Sequence, residues 1–125
     1  MKWSELKELG QLDEIDRESI DKTILIFKYS TLCPTSRVVF DRLQRNWKDD
    51  EMYSVLPYFL DLIRYREISN KVADTYGIRH ESPQVIVLQE GKAIYNESHM
   101  GIDYSTISRL VKNQTSPTEQ RNREG

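Results

Sequence analysis

Cys33, the one cysteine in this chain of 125 residues, lies in a segment whose pattern favours covalent chemistry. It follows the apolar run TILIFKY (23–29), which predicts a buried strand, and precedes Pro34. From Cys33 onward apolar residues recur at four-residue intervals, which predicts a helix, and proline suits the first turn of a helix. We therefore expect Cys33 at a strand–helix junction on the carboxyl edge of a sheet, where α/β folds place their sites.

A cysteine at the start of a helix is suited to act as a nucleophile. Backbone N–H groups and the helix dipole favour an anion there, so the pKa of the Cys33 thiol should fall below that of a free thiol. Ser36 can donate a hydrogen bond to the sulfur, and Arg37 adds positive charge one turn along the helix. The competing interpretation is a buried structural cysteine. Pro34, Ser36 and the junction together favour the reactive thiol.

Composition and charge exclude several other functions. Charged residues make up 30% of the chain but the net charge is −2, without the clustered Lys and Arg of a nucleic-acid surface. No apolar run approaches the roughly 20 residues of a membrane helix, and residues 1–10 do not resemble a signal peptide. With a single cysteine we expect no disulfide framework, no metal site and a reducing, cytoplasmic location. We interpret His80 and His99 as solvated loop residues.

The periodicity of the chain predicts a single α/β domain over residues 1–113. The predicted order is α-β-α-β-α-β-β-α, and strand–helix–strand units favour a four-stranded mixed sheet with helices on both faces. The predicted elements are a helix at 2–10 within an N-terminal helical extension (1–20), strands at 23–29 and 55–62, helices after Cys33 and at 64–78, a hairpin at 82–98, and a helix at 103–113 capped by Asp103. Residues 114–125 are predicted to be a disordered tail.

The segment Cys33-Pro34-Thr35-Ser36 resembles the C-x-x-S form of the thioredoxin C-x-x-C motif. The predicted elements match the order of the thioredoxin fold over residues 20–113. Ser82-Pro83 resembles the position where that fold keeps a cis-proline beside its active cysteine, and Gly101 fits the turn before the last helix. If the bond is cis, the backbone of Ser82 is exposed for pairing with a bound peptide or thiol conjugate.

More narrowly, the T-x-C-P-x-S pattern (31–36), the Ser-Pro pair and the YFLDL strand (58–62) resemble the monothiol bacilliredoxins of low-GC Gram-positive bacteria. Thr35 stands where we expected isoleucine, a departure that concerns the substrate rather than the fold. The resemblance implies that Cys33 removes bacillithiol from S-bacillithiolated client proteins by thiol–disulfide exchange. Bacillithiol is then a co-substrate, and no bound cofactor is expected.

The resemblance also implies that substrate contacts come from residues around the sulfur, namely Pro34, Thr35, Ser82, Pro83 and Gly101. Backbone donors beside Gly101 could hold a carboxylate of the small thiol. Two other functions stay open at this point. One is a thioredoxin-fold adaptor that binds proteins without catalysis, and the other is an iron–sulfur carrier, although Pro34 crowds the space that a cluster needs.

Overall fold

Five strands form one mixed sheet in the computed structural model, which describes residues 2–113. The elements are β1 (Ser4–Glu5), α1 (Gln11–Glu18), β2 (Thr23–Tyr29), α2 (Pro34–Asn46), β3 (Val55–Asp61), α3 (Arg66–Tyr76), β4 (Gln84–Gln89), β5 (Lys92–Ser98), a 3₁₀ turn (His99–Gly101) and α4 (Tyr104–Asn113). The strand order is β1-β3-β2-β4-β5. Strand β3 pairs in parallel with β1 and β2, β4 pairs antiparallel with β2, and β5 pairs antiparallel with β4. The predicted α/β architecture is confirmed, with one strand more than expected.

Alternate residues of the central strand β2 supply the two halves of the core. Leu25 and Phe27 pack with α2 and α4 on one face of the sheet. Ile24 and Ile26 pack with α1 and α3 on the other face. All four side chains are fully buried. Because both faces of β2 are covered, its sequence is continuously apolar from Ile24 to Phe27, as a buried strand predicts, and Lys28 interrupts that pattern.

The predicted helix over residues 2–10 is wrong. Ser4 and Glu5 pair in parallel with β3, and the first helix begins only after Gly10. Trp3 packs against the half of the core that contains α2, whereas Leu6 is buried in the half that contains α1. A helix would place residues three apart on one side, but an extended chain places them on opposite faces of the sheet.

The remaining elements lie close to their predicted positions. The hairpin turns at Glu90 and Gly91, which both have positive φ. Asp103 caps α4, since its carboxylate accepts a hydrogen bond from the Thr106 N–H at 3.2 Å. Within residues 2–113 no helix is long and apolar enough to cross a membrane. The predicted disordered tail lies outside the described residues.

Candidate functional site

Cys33 is the N-cap residue of α2, as the sequence predicted. Its backbone is extended, and its carbonyl accepts the Ser36 N–H at 3.0 Å, which begins the helix. The side chain is half-buried and forms no disulfide. The pKa of the Cys33 thiol is lowered, chiefly because the backbone N–H of Ser36 stabilises the thiolate, while burial opposes the shift. The N–H of Thr35 and the hydroxyls of both residues lower it further.

Ser36 is fully buried and ties the loop before the helix to the helix itself. Its hydroxyl oxygen accepts a hydrogen bond from the Ser30 N–H at 3.2 Å, which leaves its own proton free to point at the sulfur. The Ser30 hydroxyl in turn accepts the Leu32 N–H at 3.2 Å. Ser36 therefore supports both the shape of the loop and the charge on the sulfur.

Arg37 lies on the exposed face of α2. Its side chain is 81% exposed, and its Nε atom is 3.9 Å from Oδ2 of Asp41. The groups that lower the pKa of Cys33 belong to Ser36 and Thr35, and Arg37 is not among them. A stabilising role of Arg37 for the thiolate stays a prediction without support from these contacts.

The Ser82-Pro83 peptide bond is cis, as expected. Lys28 on β2 pairs with Gln84 on β4, so continuing the antiparallel register sets Pro83 and Ser82 opposite the end of β2, beside the loop that carries Cys33. The Ser82 hydroxyl oxygen is buried and has no hydrogen-bond partner among the described residues. The roles of Ser82 and Pro83 in substrate binding stay predictions, but their place at this edge of the sheet agrees with them.

The turn before α4 closes the same edge. The guanidinium of Arg42, on α2, donates hydrogen bonds to the carbonyls of Met100, at 3.2 Å, and Ile102. The His99 N–H donates to the carbonyl of Pro83 at 2.9 Å. These bonds hold the turn, including Gly101, against both α2 and the cis-proline. Sequence reasoning missed Arg42, because its partners lie about 60 residues away along the chain.

A second polar group that sequence reasoning missed lies under this edge. Lys28 is fully buried, and its Nζ atom lies 3.2 Å from the Ser69 carbonyl and 3.4 Å from Nδ1 of His80. Burial lowers the pKa of Lys28 to about 8. His80 is thus no solvated loop residue, whereas His99 is exposed, 3.6 Å from a Glu81 oxygen. The sequence feature that could have indicated this buried polar contact is the lysine within the otherwise apolar run TILIFKY.

Comparison with known proteins agrees with these features. Residues 4–107 match the family model described as monothiol bacilliredoxin BrxC. The fold is similar to that of a solved protein with a thioredoxin fold, at 24% identity and TM-score 0.70, over 85% of this chain and 90% of that chain. It is also similar to thioredoxins from Malassezia sympodialis, at 16% identity and TM-score 0.69 over 92% of both chains, and Fasciola hepatica, at 15% identity and TM-score 0.66 over 87% and 96%.

The family match, together with a free thiol at the start of α2, supports a thiol redox role. The family match covers most of the chain and contains the whole sheet. The chain therefore belongs to the monothiol bacilliredoxin BrxC family.

Proposed function

We propose that this protein is a thiol–disulfide oxidoreductase that removes bacillithiol from S-bacillithiolated protein cysteines through a mixed disulfide at Cys33. The observation that carries the proposal is the half-buried thiol at the N-terminus of α2, whose pKa is lowered by the N–H groups of Ser36 and Thr35. A thiol whose pKa approaches ambient pH is the most effective attacking group in exchange, because it combines a large thiolate fraction with nucleophilicity.

In the first step the Cys33 thiolate attacks the bacillithiol sulfur of the client's mixed disulfide. A bond forms between Sγ of Cys33 and that sulfur, and the bond to the client sulfur breaks. The client leaves as a thiolate, which takes a proton from solvent, and the small thiol stays on Cys33. Backbone N–H groups at the helix start stabilise the attacking charge before the reaction and do not need to move.

In the second step a free bacillithiol thiolate attacks the bacillithiol sulfur held on Cys33. The products are bacillithiol disulfide and the Cys33 thiolate, so reduction of one client mixed disulfide consumes one free bacillithiol, and the other half of the product disulfide comes from the client. Ser36 occupies the position of the second cysteine in a C-x-x-C motif and cannot resolve the mixed disulfide. One cysteine is therefore sufficient, provided that the small thiol is abundant, as in a reducing cytoplasm.

The surface around the sulfur suits a protein client. Leu32, which directly precedes Cys33 in the chain, is 78% exposed. Exposed apolar side chains beside a reactive group are typical of protein-binding surfaces. We assign contacts with the bound thiol or client backbone to Pro34, Thr35, Ser82, Pro83 and Gly101.

Recovery of a blocked client enzyme tests this proposal. An enzyme whose activity depends on one cysteine is modified with bacillithiol, and the return of its activity is followed with free bacillithiol and catalytic amounts of the protein. We expect recovery that depends on Cys33 and is lost in Cys33→Ser. Recovery no faster than with free bacillithiol alone would reject the proposal, and equal recovery of a glutathione-blocked client would reject bacillithiol as the specific thiol.

A further inference from the structure

Lys28 is a buried cation whose position the exchange chemistry alone does not explain. On its face of β2 the preceding inward residues are Ile24 and Ile26, both fully buried, and its partner on β3 is the fully buried Leu60. An apolar side chain would fit this pattern. A charged amine in such surroundings lowers stability unless its N–H groups donate hydrogen bonds. Buried charged groups are therefore more often found where a function requires them.

The ammonium of Lys28 joins three parts of the fold. It belongs to β2, donates to the carbonyl of Ser69 on α3, and contacts Nδ1 of His80 in the segment before β4. An ammonium has only donors, so Nδ1 of His80 accepts and the ring carries its proton on Nε2. The Ser69 hydroxyl lies 3.4 Å from the same nitrogen. His80 is thereby fixed in one neutral tautomer and one orientation.

This contact fixes the backbone that faces the reactive loop. His80 lies three residues before Pro83, and Lys28 lies five residues before Cys33. Gln84, opposite Lys28 in the sheet register, is buried and donates from its side-chain amide to the carbonyl of Arg79 at 2.9 Å. Side chains on the central strands therefore hold the start of the segment 79–83, and the His99 N–H holds its other end at the carbonyl of Pro83.

We propose that Lys28 is a positioning residue for exchange at Cys33, which acts by holding His80 and hence the segment 79–83 against the end of β2. The inference rests on the proposed function, because it assumes that the sheet edge at Ser82 receives the disulfide that Cys33 attacks. Lys28 does not touch the sulfur. Its removal should lower the rate of exchange with a bound disulfide and leave the intrinsic reactivity of the thiol unchanged.

The ionisation of His80 reports the contact directly. Burial, the Lys28 cation and Arg66 on α3 lower the pKa of His80, in that order, and Glu81 in its own segment raises it. Loss of the Lys28 charge therefore moves the pKa of His80 upward, while Arg66 and Glu81 still act on it. A protonated His80 cannot accept at Nδ1, so acid also breaks the contact.

One variant and one matched control test the proposal first. Lys28→Met keeps the length of the side chain and removes the donor, and Lys22→Met removes an exposed lysine before β2 as the control. Exchange is measured with a chromogenic peptide mixed disulfide, alkylation with iodoacetamide, and the His80 titration by NMR, with His99→Gln assigning the ring signals. We expect Lys28→Met to slow exchange about tenfold, as misplaced reacting groups do. Alkylation should stay unchanged and the pKa of His80 should rise.

A pair of variants at His80 tests the proposal if Lys28→Met does not fold. His80→Asn keeps an acceptor near the position of Nδ1 and should retain exchange, whereas His80→Leu should lose it to a similar extent. Unchanged exchange in folded Lys28→Met or in His80→Leu would overturn the proposal, as would a parallel fall in alkylation. Failure of the proposed function would give a different result from failure of the Lys28 proposal. The wild type would then exchange with the peptide disulfide but accept no bacillithiol from a client.

Discussion

Replacing the buried Lys28 with methionine should change how the free energy of unfolding depends on pH. The pKa of Lys28 falls from an ordinary 10.5 to about 8 in the folded protein. Each tenfold change in proton affinity corresponds to about 1.4 kcal/mol, so below pH 8 the protonated amine lowers the free energy of unfolding by up to about 3 kcal/mol. Between pH 8 and 10.5 the unfolded chain binds more protons, so the wild type gains stability as pH rises.

The methionine variant has no amine at this position, so its free energy of unfolding lacks this pH-dependent contribution. At pH 7 it avoids burying a cation, although the Ser69 carbonyl and His80 Nδ1 lose their donor at a cost of about 1–3 kcal/mol. At any one pH the free energies of unfolding of variant and wild type therefore differ by a small or moderate amount. The way this difference changes with pH does not depend on the lost hydrogen bonds. Tyr58 and Tyr76, whose pKa values are raised to about 12 by burial, titrate equally in both proteins and cancel.

Urea unfolding at several pH values between 7 and 10, followed by the fluorescence of Trp3 and Trp47, measures this change. We expect the variant's stability relative to the wild type to be greatest at pH 7 and to fall by about 2–3 kcal/mol by pH 10. Lys22→Met, which removes an exposed lysine, is the control. A constant difference for Lys28→Met would contradict the reasoning, because Lys28 would then titrate alike in the folded and unfolded chains.

Three further substitutions test other parts of the account. Ser36→Ala leaves the buried Ser30 N–H without its acceptor and should cost about 1–2 kcal/mol in urea unfolding. It should also move the alkylation profile of Cys33 to higher pH, and an unchanged profile would exclude the Ser36 hydroxyl as a partner of the sulfur, although its backbone N–H is retained. Cys33→Ser should abolish exchange with little change in thermal midpoint, and residual exchange at the wild-type rate would refute its role. Glu51 accepts hydrogen bonds from Lys112 and, more weakly in effect, Tyr104, which hold its pKa at about 2, below an ordinary 4.5. Its contribution is therefore present above pH 4.5 and lost as pH falls toward 2, so Glu51→Gln should lower the thermal midpoint at pH 7 but not at pH 2.

The parts of the fold that local sequence determines were predicted well. Strand β2, the loop and the start of α2 follow from a continuous apolar run, Pro34 and the spacing of Val39 and Leu43. The position of Cys33 and the role of Ser36 depend on the same local geometry. Resemblance to a family was needed for the cis bond at Pro83, because most X–Pro bonds are trans.

The features that were missed depend on contacts between distant parts of the chain. Trp3 and Leu6 have a spacing that fits a helix or an extended chain, and only pairing of Ser4 with Tyr58 on β3 decides between them. The contact between Lys28 and His80 spans 52 residues. Such contacts depend on strand order, which short-range periodicity does not contain.

Transfer of bacillithiol from a client protein to Cys33 can be followed by intact-mass spectrometry. The purified protein is mixed with a client that carries bacillithiol on one cysteine, in the absence of free thiol. We expect the bacillithiol mass to appear on this protein, to map to the Cys33 peptide and to leave the client reduced, and we expect Cys33→Ser to acquire nothing. A client that keeps its bacillithiol while Cys33 stays unmodified would show that the proposed transfer does not occur.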